Sequence, residues 1–282
     1  MPSKIIDGKE IADGILKKLK DKIKNLKQKP GLAIVIVGNN PASEIYVNSK
    51  KKMFNDVGGY AELHSLGEDT KEFDLLKLVG ELNNSPKIHG ILVQLPLPKR
   101  IDENLITNSI LPHKDVDGFT AVSLGRLVEG NPILMPATAR AVIHLIESTG
   151  IKIEGKNAVV VGRSNIVGKP VAMMLLEKNA TVTVCHSRTK NMAEHTKKAD
   201  IVVVAVGKPK LITKEMVKPG AVVIDVGINR VGSKIVGDVD FENVKDVAGW
   251  ITPVPGGVGP MTIAMLLENT LKAMELSQII LN

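Results

Sequence analysis

Apolar residues in this chain follow two rhythms, the short unbroken run and the three-to-four-residue repeat of a helix face. Leu32-Ala33-Ile34-Val35-Ile36-Val37 is of the first kind and reads as a strand buried on both faces. Residues 41–57 then read as a helix and 60–65 as a strand. The stretch 70–84 is helical, with Phe73, Leu76, Val79 and Leu82 at helix spacing. The run 88–94 is a strand stopped by Leu95-Pro96-Leu97-Pro98, because proline has no amide hydrogen to give a sheet. From 157 the alternation resumes with strand 158–161, helix 168–178 and strands 181–185, 201–206 and 221–226. Ile263, Leu266, Leu267, Leu271 and Met274 form a last helical stripe over about 261–278.

Short apolar strands with helices between them predict an α/β fold with parallel sheets covered on both faces. No internal repeat, low-complexity tract or linker interrupts the pattern. A length of 282 residues suits one large or two medium domains. Boundaries are expected near Asp117-Gly118, after the loop 111–118, and near 254–260, where Pro and Gly cluster. Periodicity does not say which domain the final helix packs on.

Composition narrows the function classes. Apolar residues make up 44% and aromatics 2%, so the cores must be built from Ile, Val, Leu, Ala and Met. Stacking platforms for single-stranded nucleic acid are nearly ruled out. Lys and Arg number 37 against 30 Asp and Glu, a net charge of +7. That field favours anionic partners such as nucleic acid, phosphorylated cofactors or polycarboxylates, and a lysine-rich solvated surface explains it as well. Lys17, Lys18, Lys20, Lys22, Lys24, Lys27 and Lys29 alternate with Ile11, Leu16, Leu19, Ile23 and Leu26, which makes them the wet face of an amphipathic helix. The single cysteine, Cys185, allows no internal disulfide and no cysteine-based zinc cluster. Met1-Pro2-Ser3-Lys4 leads into no apolar leader, and no apolar run approaches a membrane span. A reducing cytosol is the expected compartment.

The strand 158–161 runs into Gly162-Arg163-Ser164-Asn165-Ile166-Val167-Gly168-Lys169-Pro170. Gly162 permits a tight turn, and Gly168 lets a helix start close to the strand with its N-terminus aimed at a pyrophosphate. The spacing departs from the usual dinucleotide fingerprint, with Ser164 for the second Gly and Gly168 one residue late. A purely structural turn fits it equally. The strand 181–185 ends in His186-Ser187-Arg188-Thr189, where an NAD enzyme usually carries an Asp or Glu. Hydroxyls with Arg188 and Arg163 suit a 2′-phosphate and favour NADP, unless Arg188 is a solvated loop residue.

Ser43, Tyr46 and Lys50 share one helix face at i, i+3 and i+7. A Tyr–Lys pair one turn apart can transfer protons, and it is equally an ordinary helix surface. Gln94 ends an apolar strand, where its amide is costly to bury unless paired with backbone or ligand. The loop Pro112-His113-Lys114-Asp115-Val116-Asp117-Gly118 offers two carboxylates. A metal would need a third ligand that is not evident, and Asp-Gly commonly forms a turn.

Together these segments resemble the bifunctional methylenetetrahydrofolate dehydrogenase/cyclohydrolase family. The resemblance runs through Ser43-Glu44-Ile45-Tyr46-Val47-Asn48-Ser49-Lys50, Gly90-Ile91-Leu92-Val93-Gln94-Leu95-Pro96-Leu97-Pro98, Lys114-Asp115-Val116-Asp117-Gly118 and 161–170. Its most specific stretch is Thr252-Pro253-Val254-Pro255-Gly256-Gly257-Val258-Gly259-Pro260-Met261-Thr262.

The resemblance implies two α/β domains with a cleft between them. A folate-binding domain would span 1–117 joined by the helix 260–282, and a Rossmann-like NADP-binding domain 118–259. It implies NADP-dependent oxidation of 5,10-methylenetetrahydrofolate, hydrolysis of the methenyl product to 10-formyltetrahydrofolate, a homodimer and no metal. Lys50 would be the general acid/base, Tyr46 its partner and a folate-stacking surface, and Gln94 a hydrogen-bond partner biasing Lys50. Asp117 would bind the pterin, and Pro253, Pro255, Gly256 and Gly257 would close over folate. Ser43, Thr138, Arg163, Ser164, Ile166, Ser187 and Thr262 would line the cofactor side, together with Gly162, Arg188 and Ile228.

One stretch departs from the family pattern Pro-Cys-Thr-Pro-x-Gly: here it reads Pro136-Ala137-Thr138-Ala139-Arg140-Ala141. That puts cofactor affinity in question more than the reaction. Two rival readings remain, a monofunctional dehydrogenase and a non-enzymatic NADP-sensing or nucleic-acid-binding protein.

Overall fold

The computed structural model describes residues 3–38 and 41–280, with backbone only for 41–43, 45, 279 and 280. The chain opens with β1 (Lys4–Ile5), α1 (Gly8–Lys24), β2 (Gly31–Val37), α2 (Pro41–Asp56), β3 (Tyr60–Leu66), α3 (Glu72–Asn84) and β4 (Gly90–Val93). Three helices follow, α4 (Glu103–Asn108), α5 (Ala121–Val128) and α6 (Ala137–Ser148). Then come β5 (Asn157–Val161), α7 (Gly168–Glu177), β6 (Thr181–Cys185), α8 (Met192–Thr196), β7 (Ile201–Val204) and β8 (Val222–Asp225). The last elements are β9 (Asn229–Val231), β10 (Lys234–Val236), α9 (Phe241–Val244), β11 (Trp250–Ile251) and α10 (Val258–Ile280).

Two units share the chain. One comprises Gly14–Ala137 with Ile263–Asn282, the other Met1–Asp13 with Thr138–Thr262. The sequence reading drew its boundaries at 117/118 and 259/260, whereas contacts place them at 13/14, 137/138 and 262/263.

In the first unit, β2 is the centre of a parallel sheet of order β3-β2-β4. Every residue of β2 is buried. Ala33, Val35 and Val37 pack with Leu75, Val79 and Leu82 of α3 and with Ile91 and Val93 of β4. Leu32, Ile34 and Ile36 point the other way, as strand alternation requires, and are buried too. Each such side chain contributes roughly 1.5–3 kcal/mol on leaving water. Buried His89 ties the sheet's lower edge: its Nδ1 accepts from the Gly31 amide at 2.9 Å. On the other side of the ring, Nε2 lies 3.2 Å from the Gln28 side-chain amide.

Among the described residues of the second unit, one parallel sheet has the order β1-β11-β8-β7-β5-β6. Counted from β5, that is the 2-1-3-4-5 winding of a doubly wound fold, with β1 added at the far edge. Winding reverses between β5 and β7, and such a fold binds ligands at that point, beyond the carboxyl ends of the strands. The small sheet obeys the same logic, since β3 and β4 lie on opposite sides of β2.

Candidate functional site

In the first unit the reversal point brings together residues from three elements. Gln94 directly follows β4, and its amide N–H donates to Val35 O of β2 at 2.8 Å. Its side-chain Nε2 donates to Leu95 O at 2.8 Å. The carboxamide oxygen is thereby turned towards α2, where it accepts from Lys50 Nζ at 3.1 Å. Burial lowers the Lys50 pKa, and the nearby Asp117 carboxylate opposes that shift. Burial also pushes the Asp117 carboxyl up to about 6; the Lys50 cation counteracts this and the Asp115 charge adds to it. Tyr46, one turn before Lys50, keeps 37% of its surface exposed, and partial burial raises its hydroxyl pKa. The Ser43 side chain lies outside the described residues.

This cluster joins an amine biased towards its neutral form to an oriented amide, a carboxylate and an accessible aromatic face. It can remove or return a proton. The Leu95–Pro96 bond is cis.

In the second unit a cavity of about 450 Å³ opens beyond β5, β6 and β7. Gly162 and Arg163 follow β5, and Ser187 follows β6; all three line it. Gly162 has φ +131°, and a Cβ there would lie 2.3 Å from Ala205 O. A Cβ on Gly168 would lie 2.3 Å from Gly162 O. Only glycine lets the turn and α7 approach this closely, so the cradle fits a dinucleotide. Ser164 takes the place of the fingerprint's second Gly and acts as a cap. Its Oγ accepts from Val167 N at 3.2 Å and Gly168 N at 3.4 Å, leaving its O–H free to donate.

His186 and Thr189, named in the sequence only as part of the tip 186–189, also line the cavity, and so does Lys208, which sequence reasoning did not single out. Neither did it mark the apolar lining of Met192, Val206 and Leu211, which packs on the sheet's core cluster. The available signal was the stretch Val206-Gly207-Lys208-Pro209 at the end of a strand. Arg188, Ser164, Ile166 and Ile228 are exposed and are not among the residues lining this cavity. Thr138 lies in the first turn of α6, and Thr262 Oγ1 donates to Val258 O in α10 at 3.1 Å. The departing stretch 136–141 folds into the first turns of α6, with Ala139 and Ala141 fully buried. Alanine suits a helix interior, so the missing Pro and Gly fit the local structure.

The loop after β11 is tightly held. Val254–Pro255 is cis and Gly256 has φ +106°. Lys9 N donates to Gly256 O at 3.0 Å, and Gly257 would bring a Cβ within 2.6 Å of Pro253 O. Thr252 Oγ1 accepts from Asp225 N at 2.8 Å. Asp225 and Asp238 are both buried. Asp225 accepts from Gly227, Asp238 and Val239 amides at 3.0, 2.9 and 2.9 Å. Asp238 Oδ2 accepts from Val206 N at 2.7 Å and Gly207 N at 2.9 Å, and its Oδ1 from Asn229 Nδ2 at 2.8 Å. No group of three His, Cys, Asp or Glu among the described residues could hold a metal.

A doubly wound sheet with a glycine-cradled cavity, joined in one chain to a lysine–amide–carboxylate cluster, defines a dinucleotide-binding α/β protein equipped for proton transfer. Comparison with known proteins makes this specific. The tetrahydrofolate dehydrogenase/cyclohydrolase catalytic domain model matches residues 6–117, and the NAD(P)-binding domain model of the same family matches 136–278. The chain belongs to the tetrahydrofolate dehydrogenase/cyclohydrolase family. The bifunctional protein FolD of Moorella thermoacetica is 57% identical over 97% of this chain and 99% of its own length. The bifunctional methylenetetrahydrofolate dehydrogenase/cyclohydrolase of Campylobacter jejuni is 47% identical, with a TM-score of 0.95 over 98% of this chain and 99% of that one. The Trypanosoma brucei enzyme, solved with NADP and an inhibitor, is 40% identical with a TM-score of 0.95 over 99% of each chain.

Proposed function

We propose that this chain oxidises 5,10-methylenetetrahydrofolate with NADP and hydrolyses the methenyl product to 10-formyltetrahydrofolate. The observation that carries the reading is the 3.1 Å contact between Lys50 Nζ and an oriented Gln94 oxygen, at a half-buried lysine whose pKa is lowered. Bound NADP supplies the hydride acceptor. That step asks the protein for alignment rather than acid/base help, because the folate nitrogens push out the hydride.

Hydrolysis needs a base. Lys50, in its neutral form, takes the proton from water attacking the methenyl carbon, and the cationic substrate lowers its pKa further. Gln94 holds the amine, and Tyr46 presents a face for the folate to stack on. Asp117 accepts hydrogen bonds from the pterin. The loop of Pro253, Pro255, Gly256 and Gly257 closes over the folate. Gly162, Arg163, Ser164, Ile166, Ser187 and Arg188 serve the cofactor, as do Ser43, Thr138, Ile228 and Thr262. The positive net charge suits NADP and a polyglutamylated folate. A cytoplasmic homodimer working in one-carbon metabolism and purine biosynthesis completes the reading. Among the described residues no helix is long and apolar enough to cross a membrane.

Lys50→Met tests it. Hydrolysis of methenyltetrahydrofolate, followed by loss of its chromophore, should fall by at least about 10²-fold. NADP reduction with methylenetetrahydrofolate should fall far less, which also reports a folded protein. Equal loss of both activities would overturn the role given to Lys50.

A further inference from the structure

The cavity beyond β5, β6 and β7 is chemically lopsided. Met192, Val206 and Leu211 give it an apolar part, while Arg163, Ser187, Thr189 and Lys208 give it cations and hydroxyls. No Asp or Glu is among its lining residues. Residues 164–168, which open α7 where a pyrophosphate would lie, are absent from the lining as well. The cavity therefore belongs to the adenosine end of a dinucleotide, where the tip of the second strand reads the ribose.

Lys208 enters from the turn after β7, and that turn is fixed on both sides of it. Buried Asp238 clamps the two preceding amides, Val206 N and Gly207 N, with one carboxylate oxygen. Gly207 has φ +65°, and Pro209 restricts the backbone of Lys208 from the other side. A lysine on a free loop would lose much entropy on binding; one on a clamped turn loses only the freedom of its stem.

We propose that Lys208 is a second 2′-phosphate-binding cation, acting with Arg163 to select 2′-phosphorylated adenosine. The proposal rests on the reading of this cavity as the NADP site. Arg163 offers a planar fork of donors and Lys208 a mobile point charge. A dianionic phosphate can take both, with the Ser187 hydroxyl completing its partners.

Calorimetric titration of 2′,5′-ADP and 5′-AMP into the wild-type protein and into Lys208→Met, Lys208→Arg and Arg163→Met tests this. Lys208→Met should weaken 2′,5′-ADP about tenfold, the scale of one charge-assisted hydrogen bond. It should change 5′-AMP less than about twofold, since 5′-AMP lacks the group concerned. Lys208→Arg should restore most of the loss. If Arg163→Met loses 2′,5′-ADP affinity and Lys208→Met keeps it, the role of Lys208 is refuted while the NADP reading stands. If Lys208→Met weakens both ligands equally, the lysine serves the pocket's shape and the proposal fails. If the wild-type protein itself does not distinguish the two ligands, the NADP reading fails and takes the proposal with it.

Discussion

Asp115 and Asp117 sit two residues apart in one turn and do opposite work. Asp115 is 1% exposed, and four donors saturate it: the amides of Gly118, Phe119 and Thr120 at 2.9, 3.1 and 2.8 Å, and Ser123 Oγ at 2.7 Å. It holds the loop together. Asp117 accepts no side-chain hydrogen bond from the described residues, and burial pushes its carboxyl up to about 6. A half-buried acceptor beside Lys50 suits the role proposed for it, pairing with a pterin's amide and amino groups. The pH consequence follows from the raised value. The folded state binds the proton more tightly than the unfolded chain, so this group's stabilisation is full below its ordinary value of 3.8 and is lost as pH rises through about 6. Asp117→Asn, which mimics the neutral acid, should therefore gain stability relative to wild type between pH 4.5 and 7.5 in urea unfolding; a pH-independent difference would refute the shift. Spacing alone could not separate these two residues, since both read as turn carboxylates, and only the family resemblance pointed to Asp117. The folding of Thr120 and Ser123 back onto Asp115 is the physical difference between them.

At the scale of elements, the strands that position the site were legible because they are apolar throughout. The pattern placed strands at 32–37 and 158–161, and the structure has Gly31–Val37 and Asn157–Val161. The pattern carried 88–94 one residue past the ladder; β4 ends at Val93, and the Gln94 side chain turns to Lys50. The hairpin of β9 and β10 left no trace in the pattern, because Val231 and Ile235 are half exposed and alternate with polar residues over three-residue strands. The carboxylate that anchors this hairpin to the turn after β7, Asp238, was equally silent, since its backbone partners lie about thirty residues away. Asp238→Ala would take the acceptor from Val206 N and Gly207 N and leave Asn229 Nδ2 with only Val236 O, at 3.4 Å. It should lower stability by about 2 kcal/mol, the scale of stripping the acceptor from partly buried donors, as read from the urea midpoint. A loss under about 0.5 kcal/mol, the range of ordinary surface substitutions, would mean the turn after β7 is held by something else.

At the scale of the whole molecule, what the sequence hides is which distant segments belong together. β1 is two exposed residues, too short for any periodicity, yet it pairs in parallel with β11, almost the full chain length away. That pairing draws residues 1–13 into the unit of the second sheet. The final helix has the reverse problem. Its stripe was plain, but a stripe does not say what it faces. Packing answers: a Cβ on Gly90 would lie 3.2 Å from Thr270 Oγ1, so α10 runs close along β4. Asn269, 1% exposed, donates through Nδ2 to Val116 O and Met135 O, both at 2.8 Å. One amide thus ties the helix to the backbone beside Asp117 and to the segment leading into α6. Asn269→Leu keeps the volume and removes both bonds, leaving two carbonyls buried beside an apolar side chain. The expected loss is about 2–4 kcal/mol of unfolding free energy. Because the contact lies next to the Asp117 turn, the Michaelis constant for the folate should rise more than that for NADP. Equal rises for both substrates, or none despite the lost stability, would mean that the helix supports the fold without setting the folate turn.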